Sequence, residues 1–374
     1  MYLFLAAADS REALKRELSE EFGHQVHEPH PGMFGCELDS TSLRGSLHLA
    51  FVRQMLPDVR ALEASSVAAW VRLLVDGVAG VLPDHRPWSL HVYPFVPVST
   101  SSRMGARAWH TRGRAEPAPV SLPEKDARAG ASANRCRLIR EGVLERLHAR
   151  RRHLVRYLRQ HEGSFGADES LVQLVLTGPE RGFLSVASAP VPFEQRHVLS
   201  HLPAGEVPVA VDKAAPSRAF AKLVEAETRM GCRIAARETC VDLGASPGSW
   251  TYVAARRGAQ VTAVDRAELR PDLARLRNVT FERGDAFRFE PKVAADWLLC
   301  DVIAAAERSA DLLTTWLRKR WCRRFVVTLK VDDTGSTGVL SRLKRELPEL
   351  TREFWLTRLC SNKKEVCAFG TIAD

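Results

Sequence analysis

The sequence predicts an α/β fold. Its C-terminal part reads as a doubly wound parallel sheet, preceded by smaller α+β units. Three observations lead there. From Cys240 onward, short apolar runs alternate with helical segments. The first of those runs enters a glycine-rich turn and then a helix, Val241-Asp-Leu-Gly-Ala-Ser-Pro-Gly-Ser-Trp-Thr-Tyr252. The length of 374 residues suits two or three domains.

The N-terminal elements follow from pattern and punctuation. Tyr2–Ala7 is an apolar strand, and Asp9 or Ser10 caps a helix over Glu12–Phe22. Met33–Leu38 and Leu47–Gln54 read as short strands. Ser65 and Ser66 precede an apolar helix, Val67–Val78, and Trp88–Val96 alternates as a strand. This order suits a ferredoxin-like α+β unit. Prolines 117, 119 and 123 make 115–134 a loop or insert, and a helical run follows from Arg135 to Arg159. Its apolar side would be Leu138, Val143, Leu144, Leu147, Leu154, Val155 and Leu158. Leu171–Leu176 and Phe183–Ala187 read as paired strands, and five prolines mark a linker over about 188–216.

The later strands are Thr239–Leu243, Gln260–Val264, Val279–Glu282, Trp297–Cys300 and Phe325–Leu329. Glu353–Leu359 and Glu365–Thr371 form a terminal hairpin around Ser361-Asn-Lys-Lys364.

Composition excludes several classes. Apolar residues at 45% and charged residues at 26% are globular values and exclude wholesale disorder. No apolar run reaches the ~18 residues of a membrane span, and the start is too short for a signal peptide. The eight cysteines show no CxxC and no zinc spacing, so no metal site is expected and the compartment reads as reducing and cytoplasmic.

The net charge of +9 is uneven: −4 over 1–102, +10 over 103–160, −2 over 161–239 and +5 over 240–374. The basic segment is rich in arginine, whose fork binds phosphate bidentately. Arg140, Arg150, Arg151, Arg152 and Arg156 are its candidate RNA contacts; the competing reading is a solvated helix face.

The glycine-rich turn is the sharpest local signal. Asp242 ends its strand, Gly244 and Gly248 allow a ligand close to the backbone, and Asp265 ends the next strand, where an acid can hold a ribose. The dinucleotide pattern GxGxxG is absent, so S-adenosylmethionine suits the loop better. Gly284-Asp285 follows the third strand, where a polar contact to adenine would fall.

All 12 histidines lie at or before His201, so a catalytic sheet beginning near residue 205 would have no histidine base. Asp301 and Lys330 follow two strands, where they face the cofactor crevice. Lys222 lies on an amphipathic helix before the sheet, and Glu365 opens the last strand.

Together with Asp-Leu-Gly-Ala-x-Pro-Gly-x-Trp, the order Lys222, Asp301, Lys330, Glu365 resembles the FtsJ-type RNA ribose 2'-O-methyltransferases. It is more similar still to the RlmM type, which acts on large-subunit (23S) ribosomal RNA. Pro216-Ser-Arg218, Trp316-Leu with Trp321-Cys322, and Lys364-Glu-Val366 also match. The resemblance is specific over about 212–374 and one of layout over 1–211.

It implies a ferredoxin-like domain at 1–87, a THUMP-like RNA-binding domain at 88–195 and a Rossmann-like, FtsJ-like S-adenosylmethionine methyltransferase domain at 205–374. It implies 2'-O-methylation of a cytidine, with Lys330 as proton acceptor, Asp301 and Glu365 positioning, and Lys222 as second cation. Ser246, Pro247, Gly248, Ser249, Asp265, Asp285 and Asp301 fall on cofactor positions; Asp242, Gly244 and Trp250 complete the candidate set. The expected partner is ribosomal RNA, with no membrane, and a monomer is favoured.

Two departures stand out. The family's Cys-Pro-Gly-Gly is Ser246-Pro-Gly-Ser249 here, and a family serine is Ala219. Two other readings stay open: a 2'-O-methyltransferase of another RNA, and a non-catalytic RNA-binding or ribosome assembly protein.

Overall fold

The computed structural model describes the chain except residues 8, 24–25, 39–46, 83–84, 96–126, 160–165, 167, 193–194, 201, 332–336, 362–363 and 374. Two compact units divide the chain near residue 206. Residues 48–51 pack with the second unit although they lie early in the sequence.

The first unit holds two four-stranded sheets. Strands β1 (Tyr2–Ala6), β2 (Val26–His30), β3 (Met33–Cys36) and β4 (Val52–Leu56) form the first, in the order β2-β3-β1-β4 and antiparallel throughout. Helix α1 (Arg11–Phe22) joins β1 to β2, with β3 between those strands. The expected strand Leu47–Gln54 is shifted: Leu47–Phe51 is irregular, and pairing starts at Val52. β2 carries a proline, two histidines and a glutamate, and it has no apolar run from which to be read.

The second sheet orders as β5-β8-β7-β6, from β5 (Arg60–Glu63), β6 (Trp88–Pro94), β7 (Ser170–Leu176) and β8 (Arg181–Ala187). β5 is an exposed edge strand, which explains its weak sequence signal. The expected cut at residue 87 therefore falls inside one layer, because β5 and α2 (Val67–Ala79) belong with this second sheet and its core. Ser66 caps α2 by accepting from Ala69 N–H at 3.1 Å. Every residue of β7 is buried, and both ends of its one side-chain amide are engaged: Gln173 donates to Met55 O at 2.9 Å and accepts from the Tyr93 hydroxyl at 3.1 Å.

The basic run is not one helix. α3 (Ala127–Arg150) starts eight residues early, inside the segment expected to be a loop. It breaks at Arg151, whose φ of −145° and ψ of 52° are non-helical, and α4 (Arg152–Arg156) follows. The buried stripe of α3 is Cys136, Ile139, Val143 and Leu147, at helical spacing. Leu138, expected inside, is 40% exposed. Gly142 lets α3 approach α2 closely, since a Cβ there would lie 2.8 Å from Val71 Cγ2. Arg150, Arg151, Arg152 and Arg156 are exposed. Arg140 is half-buried, and burial pulls its pKa below the ordinary arginine value against the opposing charge of Glu141.

The second unit is built on one seven-stranded sheet. Its elements are α5 (Phe220–Met230), β9 (Thr239–Leu243), α6 (Ser249–Arg256), β10 (Gln260–Asp265), α7 (Pro271–Ala274), β11 (Val279–Arg283) and β12 (Ala295–Cys300). They continue with α8 (Ala306–Arg318), β13 (Cys322–Lys330), α9 (Thr337–Leu350), β14 (Thr351–Thr357) and β15 (Glu365–Ile372). The order is β11-β10-β9-β12-β13-β15-β14. The first five are parallel, and β15 inserts antiparallel between β13 and β14. Chain order reverses between β9 and β12, which opens a crevice at their carboxyl ends. β13 is longer than expected, so Lys330 is its last residue.

The cysteines are all free, and six are buried. Among the described residues, no helix is long and apolar enough to cross a membrane.

Leu147→Ala should destabilise the first unit by about 2–5 kcal/mol. Leu138→Ala should stay within about 0.5 kcal/mol of the parent. Urea unfolding followed on a first-unit probe checks both, and equal losses would contradict the buried stripe.

Candidate active site

Strand register brings the site together. Cys300 pairs with Leu243 on one side and Val327 on the other. Asp301 therefore emerges beside Gly244 and near Thr328. Lys330 lies opposite Glu365 in the antiparallel pair β13–β15. Lys222 reaches the same place from α5.

The four side chains form one ion network. Lys222 Nζ donates to both oxygens of Asp301, at 2.9 and 3.0 Å, and lies 2.7 Å from Glu365 Oε2. The other oxygen of Glu365 accepts from Lys330 Nζ. An ammonium has three donors, and for Lys222 three carboxylate oxygens match them. The Lys222 side chain is 11% exposed, against 33% for Lys330, so Lys330 is the lysine a substrate can reach.

Asp301 takes a further hydrogen bond. Thr328 Oγ1, fully buried, donates to its Oδ1 at 2.7 Å. Thr328 was not among the sequence candidates. Strand alternation could have found it, since it sits two residues before Lys330 on the same face.

The glycine-rich turn is packed from behind. Gly244 has φ +75°, and a Cβ there would lie 2.4 Å from Val302 Cγ2. Gly248 caps α6 with φ +109°, and its Cβ would meet Leu273 at 2.5 Å. The glycines are thus required by neighbouring side chains as well as by the left-handed backbone.

Several candidates hold the loop rather than face open space. Asp242 is 1% exposed, and its Oδ2 accepts from Thr251 N–H at 2.9 Å and Thr251 Oγ1 at 2.6 Å. Trp250 is 2% exposed in the core and donates to Ala219 O at 2.8 Å. Both are cofactor candidates from the sequence; in the structure each is buried and hydrogen-bonded within the turn. Ser249 pairs with Ser217 Oγ at 2.7 Å, and Ser217 accepts from Ala219 N–H at 3.2 Å. The Ser249 departure thus gains a partner in the turn that launches α5.

The polar rim is acidic. Asp265 accepts from Ser246 N–H at 2.9 Å and Ala267 N–H at 2.8 Å. Ser246 Oγ donates to Glu268 O at 2.9 Å, and Pro247 O accepts from Arg270 N–H at 3.1 Å. Asp285 is held below the usual carboxylate range, first by Phe287 N–H and then by Arg266 and Arg308. Arg308 also stacks over Phe287, 3.9 Å from its centroid.

Among the described residues, no histidine joins the ion network. Residues 48–51 do bring a histidine to the unit, contrary to expectation: His48 stacks on Phe354 of β14 at 3.9 Å, and Arg358 N–H donates to Ala50 O at 2.7 Å. Sequence order hides this packing, since residues 48–51 precede β4. Among the described residues, no group of three or more histidine, cysteine or acidic side chains could hold a metal ion.

Residues 215–323 match the family described as FtsJ-like methyltransferase. The matched stretch lies within the second unit. The match includes Lys222 and Asp301 and stops before Lys330 and Glu365.

Within the chain, the similarity extends to proteins named Ribosomal RNA large subunit methyltransferase M. That of Halorhodospira halophila is 42% identical over 132 residues, 34% of this chain and 39% of the relative. That of Stutzerimonas stutzeri is 39% identical over 143 residues, 37% and 41% of the two chains. That of Xylella fastidiosa strain 9a5c is 40% identical over 125 residues, 31% and 35%. The matches span about two-fifths of the length of these curated relatives.

Burial raises the Asp242 pKa to about 7, against the hydrogen bonds from Thr251. A carboxyl raised on folding stabilises most below its unfolded pKa, and that contribution is lost as pH rises through about 7. Asp242→Asn keeps an acceptor for Thr251 and cannot ionise. Its stability relative to the parent should therefore rise between pH 4 and pH 8, read by thermal melts across that range. A flat difference would contradict a buried, titrating Asp242.

Proposed function

We propose that the chain is an S-adenosylmethionine-dependent methyltransferase acting on a ribose 2'-oxygen in large-subunit (23S) ribosomal RNA, at a cytidine. The observation that carries this reading is the Lys222–Asp301–Lys330–Glu365 network beside the glycine-rich turn at the switch point. The name of the relatives supports the choice of RNA.

The residues at the crevice suit the cofactor. Asp265 ends β10, where a carboxylate can accept from ribose hydroxyls. Asp285, held ionised, is an acceptor for an exocyclic amine. Gly244, Ser246, Pro247, Gly248 and Ser249 form the turn at which the amino-acid part would lie, and Asp301 flanks it. S-adenosylmethionine supplies, when bound, a sulfonium methyl for transfer.

The chain's own groups do the rest. A 2'-hydroxyl is a weak nucleophile and must shed its proton near the transition state. Lys330 is the reachable nitrogen: its ammonium, paired with Glu365, first gives a proton to solvent, and the free amine then accepts the proton of the 2'-hydroxyl. Glu365 holds Lys330 from one side and Lys222 from the other. Asp301 and Glu365 together fix Lys222, whose buried positive charge steadies the oxygen as it becomes nucleophilic. Alignment of nucleophile and methyl supplies much of the rate.

The first unit is read as the ferredoxin-like and THUMP-like RNA-binding part, working as a monomer in the cytoplasm. Exposed Arg150, Arg151, Arg152 and Arg156 form its phosphate-binding face. Arg140 contributes less, being half-buried.

Lys330→Ala should lower methyl transfer by about 10²–10⁴-fold while S-adenosylmethionine affinity by calorimetry stays at the parent value. Unchanged turnover would remove Lys330 from its role. Mass spectrometry of ribosomal RNA from a deletion strain should show one unmodified 2'-hydroxyl at a large-subunit cytidine. An intact large-subunit pattern with a lost mark elsewhere would redirect the reading to another RNA, and no lost mark would favour an assembly role. Neutralising Arg150, Arg151 and Arg152 to Gln should weaken RNA binding and flatten its log–log salt slope by about 2. An unchanged slope would remove these arginines from the interface.

A further inference from the structure

We propose that Thr328 is a positioning residue for methyl transfer: its hydroxyl fixes the plane of the Asp301 carboxylate and, through it, the ammonium of Lys222. The proposal rests on the reading of the four-residue network as catalytic and extends it by one residue on β13.

The local sequence poses the question. Thr328 interrupts the apolar run Phe325-Val-Val-Thr-Leu329 in a strand interior, at 0% exposure. Valine has nearly the same shape and the same preference for strands. Burying a hydroxyl costs free energy unless it is hydrogen-bonded. On packing alone, valine would serve as well or better.

The hydroxyl has one proton and two acceptors in view. Asp301 Oδ1 lies at 2.7 Å and Cys300 O at 3.4 Å. The nearer acceptor is also the charged one, so the proton belongs to Asp301. Register enforces this geometry. Cys300 pairs with Val327, so the chain leaving β12 places Asp301 against the next residue of β13, Thr328.

The need for such a bond is visible in the carboxylate itself. The terminal torsion of an aspartate is broad and two-fold, so its plane is set by its partners. Lys222 binds both oxygens from one atom, at 2.9 and 3.0 Å, a contact about which the pair can swing. Thr328 adds a second anchor on Oδ1 from a rigid, β-branched side chain in the middle of the sheet. With Asp301 fixed, Lys222 Nζ is held 2.7 Å from Glu365 Oε2, and the other oxygen of Glu365 holds Lys330. The hydroxyl thus acts on the reacting atoms only through Asp301, Lys222 and Glu365.

The test uses the full chain, S-adenosylmethionine and unmodified 23S ribosomal RNA made in vitro. Thr328→Ser keeps the hydroxyl, Thr328→Ala removes it, and Thr328→Val replaces it by a methyl of similar size. The Ala and Val variants should lose about ten- to a hundredfold in kcat. Their KM for RNA and their Kd for S-adenosylmethionine should match the parent, and Thr328→Ser should recover most of kcat. If Thr328→Val fails to fold, the Ser and Ala variants, which differ by one oxygen, decide alone.

Parent-like kcat in the Ala or Val variant, beside an inactive Lys330→Ala, overturns this proposal and leaves the catalytic network standing. Equal losses in all three variants, tracking a lowered Tm, also overturn it, since that marks a packing role. A parent chain that binds S-adenosylmethionine but methylates no RNA ribose overturns the reading of the network, and this proposal with it.

Discussion

Glu365 is a carboxylate with 6% of its side chain exposed, held between two ammonium groups. Burying such a charge is costly unless it is paired, and removing one partner leaves the remainder uncompensated. The arrangement here meets that demand with two lysines and two carboxylates, formally neutral as a set. Each member needs the others in place, so the ion network and the fold around it specify one another. The decisive placement is that of β15. Inserted antiparallel between β13 and β14, it sets Glu365 directly opposite Lys330. A one-residue slip of β15 would turn Glu365 to the other face of the sheet and leave both lysines facing each other.

The second constraint is the switch point between β9 and β12. Two loops meet there, and they touch: Val302, the residue after Asp301, fills the space that a side chain at 244 would need. The turn proposed for the cofactor and the loop that carries Asp301 are therefore one packed unit. Trp250 and the Ser217–Ser249 pair extend it to the turn at 217–219, from which α5 and Lys222 begin. Residues that look like ligand contacts in the sequence are partly the rivets of this assembly. Asp242 is the clearest case, since Thr251 accounts for the hydrogen bonds to its Oδ2.

The opposite behaviour is seen in the arginine-rich helices. Their apolar stripe obeys helical spacing, yet its phase differs from the one the leucines suggest. Ile139 goes inside and Leu138 outside, because α3 is phased by its close approach to α2 at Gly142. The break at Arg151 lets α4 turn Leu154 into the core beneath Trp88, which donates to Leu154 O at 2.6 Å. The exposed arginines around the break are thereby displayed on two helix axes rather than on one.

The amino-acid sequence by itself determined the alternation of strands and helices after Cys240, the glycine-rich turn and the four charged residues of the network. These signals are local: apolar periodicity, turn chemistry and charges at strand ends. It did not determine β5, which is mostly exposed, or β2, since neither carries an apolar two-residue period in its sequence, nor the packing of residues 48–51 with the second unit. Only the tertiary structure decided which charged groups meet, that Lys330 is more exposed than Lys222, and that the Thr328 hydroxyl donates to Asp301. The physical reason is that strand register and the crossover at the switch point join positions far apart in the chain, and no local pattern encodes that distance.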